Sequence, residues 1–158
     1  MPAITPSLWF NNNLEEAAEF YTSIFPNSSI EQINRYTDAG PGTPGDVVSG
    51  TFVLDGTRFI GINGGPDFAF SEAVSFMVSC RDQDEVDYYW NRLVDKGGVE
   101  SQCGWLKDRF GLSWQIVPDR LFELINNPDP ARAAAATKAM LGMHKIVIAE
   151  LEDASANA

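Results

Sequence analysis

The sequence is short of the residues that mark secreted, membrane-bound or nucleic-acid-binding proteins. It has only two cysteines, Cys80 and Cys103, which is too few for a disulfide framework and favours a reducing cytoplasm. No apolar run approaches the roughly eighteen residues of a membrane span, and residues 1–13 lack a signal-peptide pattern, so we expect a cytoplasmic protein. The net charge of −11 repels phosphate backbones and anionic lipids. Neither nucleic acid nor a membrane is therefore an expected partner.

Histidine is also scarce, because His144 is the only one in 158 residues. We interpret it as a surface or packing residue in the C-terminal tail. The length and the 44% hydrophobic content are typical of one globular domain with a single core.

Two segments place apolar residues at helical spacing, residues 14–25 and 82–98. We predict caps at Asn12, followed by Glu15, and at Asp82, followed by Glu85, with Gly97 as a left-handed stop for the second helix. The two helices match each other residue by residue at an offset of 69, as in Tyr21 with Trp90.

The repeat predicts an α+β fold of two tandem βαβββ modules, about 3–64 and 73–118, with a C-terminal extension over 119–158. We expect strands over 4–10, 47–54, 57–63 and 73–80, and a tight hairpin at Asp55-Gly56. The extension is expected to hold a short helix, an Ala-rich helix near 129–141 and a last apolar piece, KIVIAEL, that is either strand or helix. All of residues 1–158 are expected to form a single domain.

Several segments together resemble a known family: FNNNLEEAAEFYTSIF, GPGTPGDV, FIGINGGPDF, DQDEVDYYW and CGWLKDRFGLSWQIVPD. They are similar to the PhnB-like group, described as 3-demethylubiquinone-9 3-methyltransferase, within the vicinal oxygen chelate superfamily. The resemblance implies the glyoxalase/bleomycin resistance fold, in which each module curls into half a cup and a small-molecule ligand lies between the two modules.

Strand alternation then sorts residues between the helix-covered face and the cup. Leu8, Phe10, Val74, Phe76, Val78, Leu112, Trp114 and Ile116 suit the core. The expected cup-facing residues are Thr5, Ser7, Trp9, Ser75, Met77, Ser79, Ser113, Gln115 and Val117. The fourth strand stays ambiguous, because turn pairing favours Ile60 for the cup and polarity favours Asn63.

The resemblance also bears on metal binding. Gln115 stands where metal-dependent superfamily members place a glutamate ligand, and the other ligand positions fall near Thr5 or Pro6, near Ile60 or Gly61, and near Ala73 or Ser75. A divalent metal normally needs three or four His, Asp, Glu or Cys ligands. We therefore expect neither a bound metal nor another cofactor.

The candidate binding residues are Ser7, Trp9, Asn63, Phe68, Ser75, Met77, Cys103, Trp105 and Gln115. Each has a structural alternative: Gln115 fixes a neighbouring strand or a water, the tryptophans fill the cup, and Phe68 and Phe70 seal the core. Cys103 is the one candidate nucleophile near the cup, but no histidine is expected beside it to form a thiolate, so no catalytic residue is assigned.

Three functions compete. The first is a binding protein for a planar or aromatic molecule, and the second is a metal-independent enzyme of unknown reaction. The third, the methyltransferase of the family description, is disfavoured because no glycine-rich turn leads from a strand into a helix. The resemblance also implies a homodimer, with the apolar tail burying sheet edges between chains. In the alternative, the tail packs on its own domain.

Overall fold

A computed structural model describes residues 2–158 of the protein. The chain divides into two compact units, one ending at Phe70 and one running from Ser71 to Ala158. Each unit holds one four-stranded sheet with the same topology, β1-β4-β3-β2 in the first and β5-β8-β7-β6 in the second. This confirms the α+β fold of two repeated βαβββ modules.

The first unit contains one helix and one sheet. Its elements are β1 (Ser7–Phe10), α1 (Leu14–Ile24), β2 (Ser29–Arg35), β3 (Val47–Leu54) and β4 (Thr57–Asn63). β1 runs parallel to β4, whereas β2, β3 and β4 pair antiparallel. Asp55 and Gly56 both have positive φ, 44° and 79°, which is the geometry of a type I′ turn and confirms the predicted hairpin.

One face of this sheet packs on α1. The rings of Phe52 and Phe59 stack with centroids 5.5 Å apart, beneath the fully buried Tyr21 of the helix. At Gly61 the helix approaches so closely that an added Cβ atom would collide with the Leu14 side chain. Any larger residue in β4 at this point would force the buried Leu14 side chain to move.

The N-terminus of α1 is capped differently from the prediction. Asn12 is not the cap: it has a positive φ of 63°, and the N-cap residue is Asn13, whose side chain makes no capping hydrogen bond. The acceptor comes instead from β4, because Asn63 Oδ1 accepts a hydrogen bond from the Leu14 amide at 3.0 Å. A cap supplied from a distant strand leaves no local sequence signature.

The second unit contains a helix, a sheet and three further helices. Its elements are β5 (Ser75–Cys80), α2 (Gln83–Val94), β6 (Val99–Glu100), β7 (Trp105–Lys107), β8 (Ser113–Pro118), α3 (Asp119–Ile125), α4 (Pro130–Leu141) and α5 (Ile148–Ala156). The C-terminal helices confirm the predicted extension, and the ambiguous KIVIAEL segment enters a helix at Ile148. None of the helices within residues 2–158 is both long enough and apolar enough to cross a membrane.

Helix α2 begins as predicted, but it ends at Val94 with Asp95 as an extended C-cap, before Gly97. Asp82 accepts a hydrogen bond from the Glu85 amide at 2.9 Å, and the Glu85 carboxylate accepts one from the Arg81 amide at 2.8 Å. This acidic variant of the capping box satisfies two backbone donors at the start of the helix. Beyond Val94 the chain turns through Lys96 and Gly97, both with positive φ.

The predicted environments of two residues in the second unit, Val74 and Val117, are wrong. Val74 is 64% exposed, because β5 begins only at Ser75 and Val74 lies in the preceding loop. Val117 is buried, because the extension packs against the end of β8. The resulting apolar cluster consists of Val117, Leu121, Leu124, Ala136, Met143, Ile146 and Leu151. The tail thus buries apolar surface within its own unit. This matches the alternative in which the tail packs on its own domain.

Candidate functional site

Each sheet has one face that its helix does not cover, and we call these the first and second open faces. On the first, Ser7 pairs with Ile60 and Trp9 pairs with Ile62. Both isoleucines are 36% exposed. The fourth-strand ambiguity is therefore resolved in favour of Ile60, which points away from α1.

Asn63 lies on the opposite, helix-covered side of β4. Besides capping α1, its Nδ2 donates a hydrogen bond to the Val47 carbonyl oxygen at 3.1 Å. The structure therefore does not bring Asn63 together with Ser7 and Trp9. It lines a separate polar cleft of about 480 Å³ at the start of α1, beside Asn13 and the Arg35–Glu15 ion pair.

Trp9 and Phe68 meet at the edge of the first open face. Their rings are edge to face with centroids 4.9 Å apart, and the Trp9 indole donates a hydrogen bond to the Gly65 carbonyl oxygen at 3.0 Å. Phe68 is 66% exposed. Its ring therefore extends this aromatic pair into solvent rather than sealing a core, whereas Phe70 packs against Phe10.

The second open face carries four of the nine predicted binding residues, Ser75, Met77, Trp105 and Gln115. Gln115 of β8 lies between Met77 of β5 and Trp105 of β7, which are its register partners on either side. Ser113 in the same strand lies between Ser75 and Lys107. These side chains share one surface because residues two apart in a strand point the same way.

Gln115 binds the neighbouring strand. Its Nε2 donates a hydrogen bond to Ser75 Oγ at 2.8 Å, and the side chain is half-buried. This contact fits the structural interpretation of Gln115, while Gln115 Oε1 accepts no hydrogen bond from residues 2–158 and offers an acceptor to a ligand. Met77, at 51% exposure, and the half-buried Trp105 flank this amide with polarisable apolar surface.

Cys103 lies in the turn before β7 and is held by the extension. Its backbone has a positive φ of 57°, its amide donates to the Met143 carbonyl oxygen, and the next amide, of Gly104, donates to the carbonyl oxygen of His144. The His144 ring is exposed and lies 2.7 Å from the Ser101 carbonyl oxygen. The structure thus places the single histidine near this turn, although the sequence separates the two by a long interval.

The sequence missed a small cleft on the second open face. It has a volume of about 170 Å³, and its lining residues are Glu72, Val99, Glu100, Ser101, Trp105, Leu106, Lys107 and Ser113. The ammonium group of Lys107 lies 2.5 Å from a carboxylate oxygen of Glu72, and this hydrogen bond lowers the pKa of Glu72. The sequence pattern that could have predicted this cleft is the alternation in β7, which puts Lys107 on the same face as Trp105.

The donor atoms around Gln115 are not the usual ligands of a divalent metal. Within residues 2–158, no three His, Cys, Asp or Glu side chains lie close enough together to hold an ion. The register partners of Gln115 are a thioether and an indole, and its hydrogen-bond partner is a serine. Such a set lacks the anionic or imidazole ligands that these metals require.

Two βαβββ modules with this strand order define a protein of the glyoxalase/bleomycin resistance fold. A structure of that fold, the fosfomycin resistance protein FosX from Listeria monocytogenes, aligns over 75% of this chain and 93% of its own, with a TM-score of 0.52 and 13% identity. Protein PA1353 from Pseudomonas aeruginosa aligns over 75% of this chain and 100% of its own, with a TM-score of 0.60 and 20% identity.

Within that class, the family model of 3-demethylubiquinone-9 3-methyltransferase matches residues 2–117, and the chain belongs to this family. A PhnB protein from Bacillus cereus is 36% identical, covering 74% of this chain and 99% of its own, with a TM-score of 0.68. No curated protein sequence matches the chain.

Proposed function

We propose that the protein binds a small planar or aromatic molecule and holds it without a metal ion. The observation that carries this proposal is the row formed by Met77, Gln115 and Trp105 across the second open face. A thioether and an indole offer flat, polarisable contact, and the amide between them orients a polar substituent.

The first open face supports the same class of ligand. Trp9 and the exposed Phe68 add aromatic surface, with Ser7 beside them as a hydroxyl donor and acceptor. That both open faces enclose one cavity stays a prediction from the resemblance.

Enzymatic alternatives remain to be separated from binding. One alternative is the methyltransferase that the family description names. The other is a metal-independent glyoxalase-like enzyme of unknown reaction. Neither alternative is favoured by the second open face, where the charged side chain of β7, Lys107, forms an ion pair with Glu72.

A thermal-shift screen distinguishes these functions, because a ligand that binds only the folded state raises the melting temperature. The panel contains duroquinone as a neutral planar probe, S-adenosylmethionine, and manganese, nickel and zinc ions. We expect duroquinone alone to raise the melting temperature and the Trp105→Ala and Gln115→Leu variants to lose that shift. A shift with a metal ion or S-adenosylmethionine, absent with duroquinone, would refute the proposal.

We also propose that the protein is a cytoplasmic homodimer. Its two cysteines are unbridged, which supports a reducing compartment. Exposed apolar side chains on the open faces, including Ile60, Ile62 and Met77, offer surface for a partner chain. Sedimentation equilibrium at micromolar concentration tests this assembly: the proposal requires twice the 17.4 kDa chain mass, and a species of the chain mass contradicts it.

A further inference from the structure

A serine hydroxyl at the cleft of the second open face lacks a hydrogen-bond partner. Ser113 is only 1% exposed, and its Oγ makes no hydrogen bond to any atom of residues 2–158. Buried polar groups are normally satisfied, and an unsatisfied one costs stability. The hydroxyl is therefore an unused donor and acceptor in the wall of the cleft.

A cation and an aromatic ring lie beside this hydroxyl. Lys107 is the register partner of Ser113 across the β7–β8 pair, and Trp105 lies two residues before Lys107 on the same face. The cleft lining thus combines a hydroxyl, an ammonium group and an indole with two carboxylates, that of Glu72 paired with Lys107 and that of Glu100 bonded to the Trp90 indole. Together these groups match a planar ring that carries an anionic oxygen.

The volume of the cleft limits the size of that ring. At about 170 Å³ it is close to the roughly 150 Å³ of an apolar cavity that takes up benzene. It is also smaller than the roughly 300 Å³ at which sites for drug-sized ligands begin. This volume is that of a site for one six-membered ring, and any further part of a ligand would extend along the open face.

We infer that this cleft binds a monocyclic aromatic carboxylate, with the carboxylate on Lys107 and Ser113 and the ring against Trp105. The inference rests on the proposed function and names the chemical class of its ligand. It also assigns a role to Glu72 as a competitor of the ligand for Lys107. The Glu72 carboxylate lies in the loop before β5 and contacts the Lys107 ammonium group.

Glu72 occupies the position that a ligand carboxylate needs. Its side chain is 61% exposed and belongs to a loop rather than to the sheet, so it can leave Lys107 without disturbing the fold. The hydrogen bond from Lys107 lowers the pKa of Glu72, because the ammonium group stabilises the ionised form of this competing carboxylate. Ligand binding exchanges one carboxylate for another, and removal of the internal one should tighten binding.

An NMR titration with benzoate and benzamide tests the inference, because the two probes share a ring and differ in charge. We expect Glu72→Gln to tighten benzoate binding about three- to tenfold and to leave benzamide binding unchanged, as removal of a competing charge predicts. Lys107→Met should weaken benzoate binding about tenfold. The matched control is Lys145→Met, which breaks a different ion pair in the same unit, with Asp87, and should leave benzoate binding unchanged.

Ser113→Ala separates ligand binding from a structural role. Since the hydroxyl is unpaired, its removal should maintain or raise the melting temperature while weakening benzoate binding about three- to tenfold. Equal effects of Lys107→Met and Lys145→Met, or equal affinities of wild type and Glu72→Gln for benzoate, would overturn the inference. If one of these results is found and duroquinone still binds, the proposed function stands and only the further inference fails. If no planar probe binds, both the proposed function and the further inference fail.

Discussion

The two modules share one topology but reach stability differently. In the first, β2, β3 and β4 have seven, eight and seven residues; in the second, β6 and β7 have two and three. The short strands leave less sheet to pack, and the second unit adds α3, α4 and α5, which bury one end of β8. The second module therefore depends on segments outside the repeat, whereas the first is built from the repeat alone.

The largest expected effect tests this dependence. Leu151 of α5 is fully buried in the apolar cluster, so Leu151→Ala should lower the free energy of unfolding by about 2–5 kcal/mol, as for other core leucines. Leu141→Ala is the control, because Leu141 is 59% exposed in the same extension. Urea denaturation of both variants measures the difference. Equal, small effects would show that the extension does not stabilise the second module.

The turns that lead into the last strands offer the next comparison. In the second module the buried Asp108 accepts hydrogen bonds from the amides of Phe110 and Leu112 and from the Trp114 indole at 2.8–3.1 Å. Asp108→Asn removes one of these acceptor atoms and should cost about 1.5–3 kcal/mol.

The matched change in the first module is Asp55→Asn in the β3–β4 hairpin. Asparagine accepts the positive φ of this position, and we expect a change within about 0.5 kcal/mol. Chemical denaturation measures both variants. An Asp55→Asn effect as large as that of Asp108→Asn would remove the distinction between a turn fixed by backbone geometry and one fixed by a side chain.

The helix caps differ in a similar way. Asn63→Ala removes the acceptor for the Leu14 amide and the donor to Val47, and should cost about 1–2 kcal/mol. Asp82→Ala removes one local cap and should cost about 1 kcal/mol. Thermal unfolding compares the two variants, and Asn63→Ala should leave duroquinone binding intact. Loss of binding with unchanged stability would instead place Asn63 in the ligand site.

The last comparison concerns the two thiols. Burial raises the pKa of Cys80 to about 12 from an ordinary value near 9. The folded protein therefore holds a proton that the unfolded chain releases, so this group makes stability fall as the pH rises from about 9 to 12. At pH 8, Ellman's reagent should modify Cys103 and spare Cys80 until the protein unfolds. Rapid reaction of both thiols in the native protein would contradict this.

Local patterns explain which parts of the fold were predictable. The Asp55-Gly56 turn, the Asp82–Glu85 cap and the alternation in β1 depend on residues close in sequence, and each was predicted correctly. Long-range contacts left no such pattern. The cap from Asn63 and the burial of Val117 depend on partners that are distant in the chain.

The site shows the same division. Alternation placed Gln115 and Met77 on a shared face, but the contact of Gln115 with Ser75 depends on the parallel pairing of β5 with β8. Lys107 was overlooked because a single lysine in a short strand looks like ordinary surface charge. Only the pairing of β7 with β8 puts it beside the buried hydroxyl of Ser113.

The most direct test of ligand binding on the second open face is NMR of the indole N–H groups of the four tryptophans during titration with duroquinone. Assignment uses Trp→Phe variants. The account predicts a saturable shift of the Trp105 resonance, while Trp90 and Trp114, which are buried and bonded to Glu100 and Asp108, stay in place. An unmoved Trp105 resonance at saturating duroquinone would contradict the account.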